Sequence, residues 1–133
     1  MAISFNEALG TYESALKLRS KRAEVLSSNL VNADTPNFKA RDFDFHSALK
    51  NEISRNNAKS MSASQADHLN AGMGRMSDMP LQYRTPSQPS VDGNTVDEHL
   101  EHAQFMENSL EFQTAFTLLN SRFKGLVSAI RGE

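Results

Sequence analysis

Cysteine is absent from the 133-residue chain. Disulfides, thiolate metal sites and cysteine nucleophiles are excluded with it, while the compartment stays open. Tryptophan is also absent, tyrosine occurs twice, and 38% of the residues are hydrophobic. A compact domain of this length buries roughly two-thirds of its unfolded surface. A chain this polar is expected to reach that only with the help of partner chains. No apolar run approaches the ~20 residues that a membrane span needs. Residues 1–7 hold neither the basic nor the apolar region of a cleavable secretory signal. The protein is therefore expected to be cytoplasmic, or exported by a route that reads no such signal. A formal net charge of −2 argues against nucleic acid as a partner. A glycine-rich phosphate loop, a Gly-x-Ser-x-Gly elbow and a His-Glu-x-x-His pair are all missing. The acids are spread like helix-surface charge, so no enzyme is expected.

What the chain does have is helical periodicity at both ends. Leu9, Tyr12, Leu16, Arg19, Ala23, Leu26, Leu30 and Ala33 alternate at spacings of three and four, a narrow seam of coiled-coil type broken by Arg19. At 1.5 Å per residue the seam would run for about 38 Å. Lys17, Arg19, Lys21 and Arg22 form a basic patch beside it. Pro36 pushes the preceding residue into extended backbone, so the helix should stop near Ala33 or Asp34. Asn29 and Asn32 then share one face of the last turns, where their amides can hold free carbonyls or a neighbouring backbone.

The middle is broken into short pieces. Asp42-Phe43-Asp44-Phe45 alternates and reads as strand or extended chain, and residues 46–55 can form a short helix through Ala48, Leu49 and Ile53. Residues 56–79, rich in Asn, Ser, Ala and Met, are expected to be mobile or ordered only by a partner. Residues 81–84 can form a short strand, and Asp92-Gly93 marks a turn.

Thr95-Val96-Asp97-Glu98 has the form of a capping box, from which a second long helix is expected to run to about Ile130. Phe105, Ser109, Phe112, Phe116, Leu119, Phe123, Leu126 and Ile130 alternate at four and three, with only Ser109 polar. Acids at 97, 98, 101, 107 and 111 fill the first half, and Arg122, Lys124 and Arg131 the second, the order the helix dipole favours. If the two helices run antiparallel, the patch at 17–22 comes opposite Glu107 and Glu111.

Two groupings have metal-ligating side chains. His99 and His102, interleaved with Glu98 and Glu101, lie on one helix, but spacing fixes no third ligand and the plain reading is a polar helix face. Met73, Met76 and Met79, with Met61 nearby, offer thioethers suited to Cu(I), or simply adaptable packing. No metal site and no cofactor is expected.

Asn29-x-x-Asn32-x-x-Thr35-Pro36-x-Phe38-Lys39, closing a long N-terminal helix, resembles the signature of bacterial flagellar axial proteins of the rod and hook family. Val31 stands where a small residue is common in that family, and Asn37 where Gly is common. Asn enters the left-handed region, so the turn should be preserved. Tyr83-Arg84-x-Pro86-x-Gln88-Pro89-Ser90 followed by Asp92-Gly93-Asn94-Thr95-Val96-Asp97 is similar to the proximal rod subunits in particular. So are Asn108, Phe112 (where Tyr is frequent), Leu119, Lys124-Gly125-Leu126 and Ala129-Ile130. The likeness spans roughly residues 9–45 and 81–131. It implies a structural, non-catalytic subunit of the basal-body rod, the periplasmic drive shaft that passes torque to hook and filament. It also implies export through the flagellar type III apparatus without a cleaved signal. The implied partners are copies of the chain, other rod proteins, the adaptor at the rod base and the membrane ring protein.

The expected fold is mainly α. A helix over 1–35 and a helix over 94–133 pack as an antiparallel, coiled-coil-like pair forming one domain, with an irregular middle over 36–93 that carries short strands or helix. The family motif residues are Asn29, Asn32, Thr35, Pro36 and Phe38. The expected packing and assembly residues are Leu9, Tyr12, Leu16, Leu26 and Leu30 on the first helix. On the last they are Phe105, Phe112, Phe116, Leu119, Phe123, Leu126 and Ile130. A cytoplasmic helical adaptor or export chaperone would use the same amphipathic helices without joining the rod. A periplasmic copper-handling protein would use the Met run.

Overall fold

A computed structural model describes residues 5–57, 80–86 and 88–132, with side chains over 11–54, 80–86 and 88–132. The side chain of Leu9 and the segment 58–79, with its methionines, lie outside the described residues. Two long helices dominate: α1 (Phe5–Val31) and α3 (Glu98–Arg131). Between them come β1 (Arg41–Asp42), α2 (Phe45–Asn57) and β2 (Gln82–Tyr83). The strands pair antiparallel, Arg41 with Tyr83 and Asp42 with Gln82. The long helices also run antiparallel, since Tyr12 meets Arg122, Arg19 meets Glu111 and Asn29 meets Glu101. A mainly helical fold built on an antiparallel terminal pair is the architecture that the two periodic segments require.

Local chemistry sets the ends of each element. α1 stops at Val31, a little ahead of the point Pro36 dictates. Asn32 closes it there: its Nδ2 donates to the Ser28 carbonyl at 2.8 Å, and its Oδ1 accepts from the Thr35 hydroxyl at 3.2 Å. Asn37 has φ 61°, the left-handed backbone that Asn tolerates in place of Gly. The extended run ends sooner than its alternation suggests, because Asp44 caps α2. Its carboxylate accepts from the His46 N–H at 3.0 Å and the Ser47 hydroxyl at 2.6 Å, and its carbonyl from the Ala48 N–H.

The start of α3 corrects the expected capping box. The N-cap is Asp97, whose carboxylate accepts from the Leu100 N–H at 3.2 Å. Thr95 is committed elsewhere: its hydroxyl accepts from the Ala40 N–H at 2.8 Å and its own N–H donates to the Phe38 carbonyl. Glu98 and Glu101 in the first turn and Arg131 in the last suit the helix dipole, and Gly132 closes the helix at φ 75°.

A buried apolar cluster sits on one side of α1. Leu18, Val25, Phe43 and Phe45 form it, with Ala15, Ala48 and Leu49 packed against them. It therefore lies between α1, the β1 region and α2. The buried residues of α3 are polar, Glu101 and Asn108. Asn108 Nδ2 donates to the Arg19 carbonyl at 2.9 Å, while its Oδ1 is buried with no partner among the described residues. Arg19, the polar break in the first seam, joins the two sides. Its guanidinium lies 3.5 Å over the Phe45 ring and pairs with Glu111.

Two truncations should separate the core from the open edge in the isolated subunit. Leu18→Ala removes a fully buried side chain and should cost about 2–5 kcal/mol. Phe116→Ala, at a half-exposed position, should cost about 1 kcal/mol or less. Urea unfolding of both variants checks this, and equal losses would contradict the one-sided core.

Candidate functional site

The C-terminal end of α1 is tied to three other segments by a buried polar network. Asn29 is 1% exposed. Its Nδ2 donates to the Arg41 carbonyl at 2.8 Å and its Oδ1 accepts from the Arg41 N–H at 3.1 Å, so the amide docks on β1 as the peptide of a further strand would. The same Nδ2 reaches Glu101 Oε2 at 3.1 Å. Glu101, also 1% exposed, accepts from Arg84 Nη1 at 2.5 Å through its other oxygen. Arg84 Nη2 then donates to Asp42 at 2.6 Å and to Gln104. Arg22 closes the series with a two-point contact to Asp42, 3.3 Å from Nε and 3.0 Å from Nη2. Two guanidinium groups meet two carboxylates, with Asn29, Gln104 and backbone groups supplying further partners. Charges removed from water require such pairing.

A second set of bonds holds the turn after α1. Asn94 is buried, and its Nδ2 lies 3.0, 2.6 and 3.0 Å from the carbonyls of Asn32, Ala33 and Thr35. These carbonyls belong to the turn just past α1, where the Asn32 carbonyl also accepts from the Thr35 N–H. Asn94 Oδ1 accepts from the Val96 N–H at 2.8 Å, which fixes the amide's orientation. The Asn37 N–H donates to the Asp92 carbonyl and Lys39 Nζ to the Gly93 carbonyl. Gly93 has φ 73°, and a Cβ there would stand 2.7 Å from Asn37 Oδ1. The Asn-x-x-Asn-x-x-Thr-Pro motif and the Asp-Gly-Asn-Thr-Val-Asp motif are thus two halves of one joint.

The residues expected from the sequence divide into three groups. Asn29 is the bridge described above. Thr35 and Pro36 are exposed in the turn that half-buried Asn32 begins, and Phe38, half-buried, contributes its carbonyl to Thr95. Of the seam residues, Leu26 is fully buried, while Tyr12, Leu16, Leu30, Phe105, Leu119 and Leu126 are half-buried. Phe112, Phe116, Phe123 and Ile130 stay exposed at 38, 52, 40 and 84%. The basic patch divides too. Arg19 takes Glu111, Arg22 turns to Asp42 rather than to α3, and Lys17 and Lys21 pair within α1 with Glu13 and Glu24. His102 faces Glu98 at 3.7 Å on an exposed surface. Asp42, Arg84, Glu101 and Asn94 carry the joint although no periodicity singles them out. Arg84 and Asn94 stand inside the motifs of the family resemblance, while Asp42 and Glu101 are marked by charge alone.

Two outcomes follow for stability. Burial alone would raise the Asp42 carboxyl, but bonds from Arg22, the Phe43 N–H and Arg84 outweigh it and hold Asp42 below the usual range. A carboxyl depressed in the folded state adds stability above its unfolded value, about 3.9, and that stability is lost as pH falls through the folded value. Unfolding midpoints should thus be level from pH 7 to about 5 and fall below about 4. Asp42→Asn should cost about 3 kcal/mol at neutral pH and flatten the acid limb; an unchanged limb would contradict the assignment. Gly93→Ala should cost about 1–2 kcal/mol from left-handed backbone alone. Gly125→Ala, where a Cβ meets open space, should gain up to about 1 kcal/mol. Thermal melts of the two variants check the contrast.

The joint and its flanking helix coincide with a known pattern. The family described as "Flagella basal body rod protein" matches residues 9–39. Over its length the chain is 48% identical to the flagellar basal body rod protein FlgB of Aeromonas hydrophila, an alignment of 136 residues covering 100% of this chain and 99% of the relative. It is 44% identical to FlgB of Yersinia enterocolitica, covering 93% of each. With FlgB of Escherichia coli strain K12 it shares 38% identity over 98% of each. The chain belongs to the FlgB family of flagellar basal body rod proteins.

Proposed function

We propose that the chain, a structural subunit of the flagellar basal body rod, takes its place in the proximal rod. There it polymerises with copies of itself and with other rod proteins into the drive shaft that carries torque across the periplasm. The observation that supports this reading is the contrast between a locked joint and an open edge. The joint at 29–42, 84 and 92–101 is cross-bonded on all sides, so α1, α3 and the outer segment resist bending as one body. The edge of α3 that carries Phe112, Phe116 and Phe123 is left exposed on the single subunit. A shaft needs both: stiffness within each subunit and long apolar seams between subunits. The helices α1 and α3 form the shaft layer, with β1, α2 and β2 outside it.

The family resemblance supplies the finer partners, the adaptor at the rod base and the membrane ring protein, and a type III export route without a cleaved signal. No helix among the described residues is long and apolar enough to cross a membrane. The role is mechanical rather than catalytic. Each Phe buried in a seam is worth about 3–5 kcal/mol when truncated. Phe116→Ala should therefore abolish motility while expression and subunit stability hold, and normal swimming would contradict the seam. A cytoplasmic adaptor or export chaperone would instead stay out of intact basal bodies, so co-purification with them is the expected result.

A further inference from the structure

Asp92 is exposed and stands directly before Gly93. No other Asp or Asn in the chain precedes a glycine. With no Cβ on the following residue, nothing shields the Gly93 nitrogen from the Asp92 side chain. In a free chain that nitrogen can attack the side-chain Cγ and close a five-membered succinimide, with loss of water. Water then opens the ring at either carbonyl. One opening restores aspartate. The other gives iso-aspartate, in which the main chain runs through Cβ and Cγ and the former carbonyl becomes a free carboxylate on a side branch. Composition is unchanged, and water is the only co-reactant.

The folded joint closes this path. Both ends of the peptide between Asp92 and Gly93 are bonded. Its carbonyl accepts from the Asn37 N–H at 2.9 Å, and its N–H donates to the Ser90 carbonyl at 3.2 Å. Ring closure turns this peptide toward the side chain and breaks both bonds. The Asp92 carboxylate is itself held by the Asn94 N–H at 3.1 Å. That bond, joined by the Ser90 hydroxyl, keeps the carboxyl below its usual range and ionised, the form that expels oxygen least readily. Beyond the glycine, Lys39 Nζ holds the Gly93 carbonyl at 2.6 Å, and Asn94 holds the carbonyls of Asn32, Ala33 and Thr35. Reaction therefore waits for the turn to open. Iso-aspartate puts an extra main-chain atom between residues 92 and 93. It moves the acceptor of the Asn37 N–H off the chain and shifts Asn94 from the carbonyls it holds.

We propose that Asp92–Gly93 is a fold-gated isomerisation site, closed in the joint and open in the unfolded chain. Once converted, it bars the chain from closing the joint. The site records time spent unfolded and withdraws aged chains from the pool that can fold. It rests on the joint alone and not on the rod reading.

The test holds the purified full-length chain at one neutral pH and temperature, in buffer and in urea that unfolds it. Labelling by an isoaspartyl methyltransferase, placed at position 92 by peptide mapping, reads the conversion. It should run at least about tenfold faster in urea than in buffer. Gly93→Ala, which shields the nitrogen, should suppress it in urea, and Asn94→Ala, which loosens the turn, should raise it in buffer. Converted chain returned to buffer should melt at a lower temperature than chain passed briefly through the same urea. Equal rates in buffer and urea, or a buffer rate that Asn94→Ala leaves unmoved, would overturn the gate. No label at position 92 in urea, or a urea rate that Gly93→Ala leaves unmoved, would overturn the site. An unchanged melting temperature would overturn the exclusion of converted chains from the fold.

Discussion

Glu101 is a carboxylate with 1% of its surface exposed, and the requirement that it be met by donors organises the subunit. Its two oxygens take Arg84 and Asn29, which arrive from segments distant in sequence. Asn29 reaches Glu101 only while α1 and α3 keep one register, because the same amide is held on both sides of Arg41. Arg84 reaches it only while β2 lies beside β1, because its other nitrogen is held by Asp42. Removing one member of such a set leaves a buried charge without a partner, which costs more than the intact pair contributes. The network therefore works as an alignment device more than as a source of net stability.

Placing polar groups at the contact of the two long helices has a further consequence. The apolar core is built by α1, the β1 region and α2, so α3 has no need to spend its phenylalanines inside the subunit. Its apolar edge remains available to other chains. A protein whose work is to be gripped along its length benefits from that arrangement. Lateral contacts can form and strengthen without the subunit first unpacking its own core. The exposed edge would be a liability in a monomer meant to stay alone.

Much of this was legible in the sequence because it is local. Spacings of three and four announce α1 and α3, Pro36 and Asn37 announce the turn, and the Asp-Gly pair announces the reversal before the last helix. The choice of cap was not legible, since Thr95 and Asp97 are both good N-cap residues. Only the folded chain shows that Thr95 is occupied by Ala40. Arg19 looked like a defect in the seam because its purpose, Phe45 on one side and Glu111 on the other, depends on two distant elements. The joint was hidden for the same reason. Asp42 and Glu101 are ordinary polar residues until β1 and β2 bring Arg84 between them.

The most direct measurement is a density map of the basal-body rod containing this chain. The account predicts that the Phe112, Phe116 and Phe123 edge is buried against helices of neighbouring subunits. It also predicts that Asn29, Arg84 and Glu101 keep their contacts inside each subunit. A rod in which that edge faces solvent, or in which the network has opened on assembly, would contradict it.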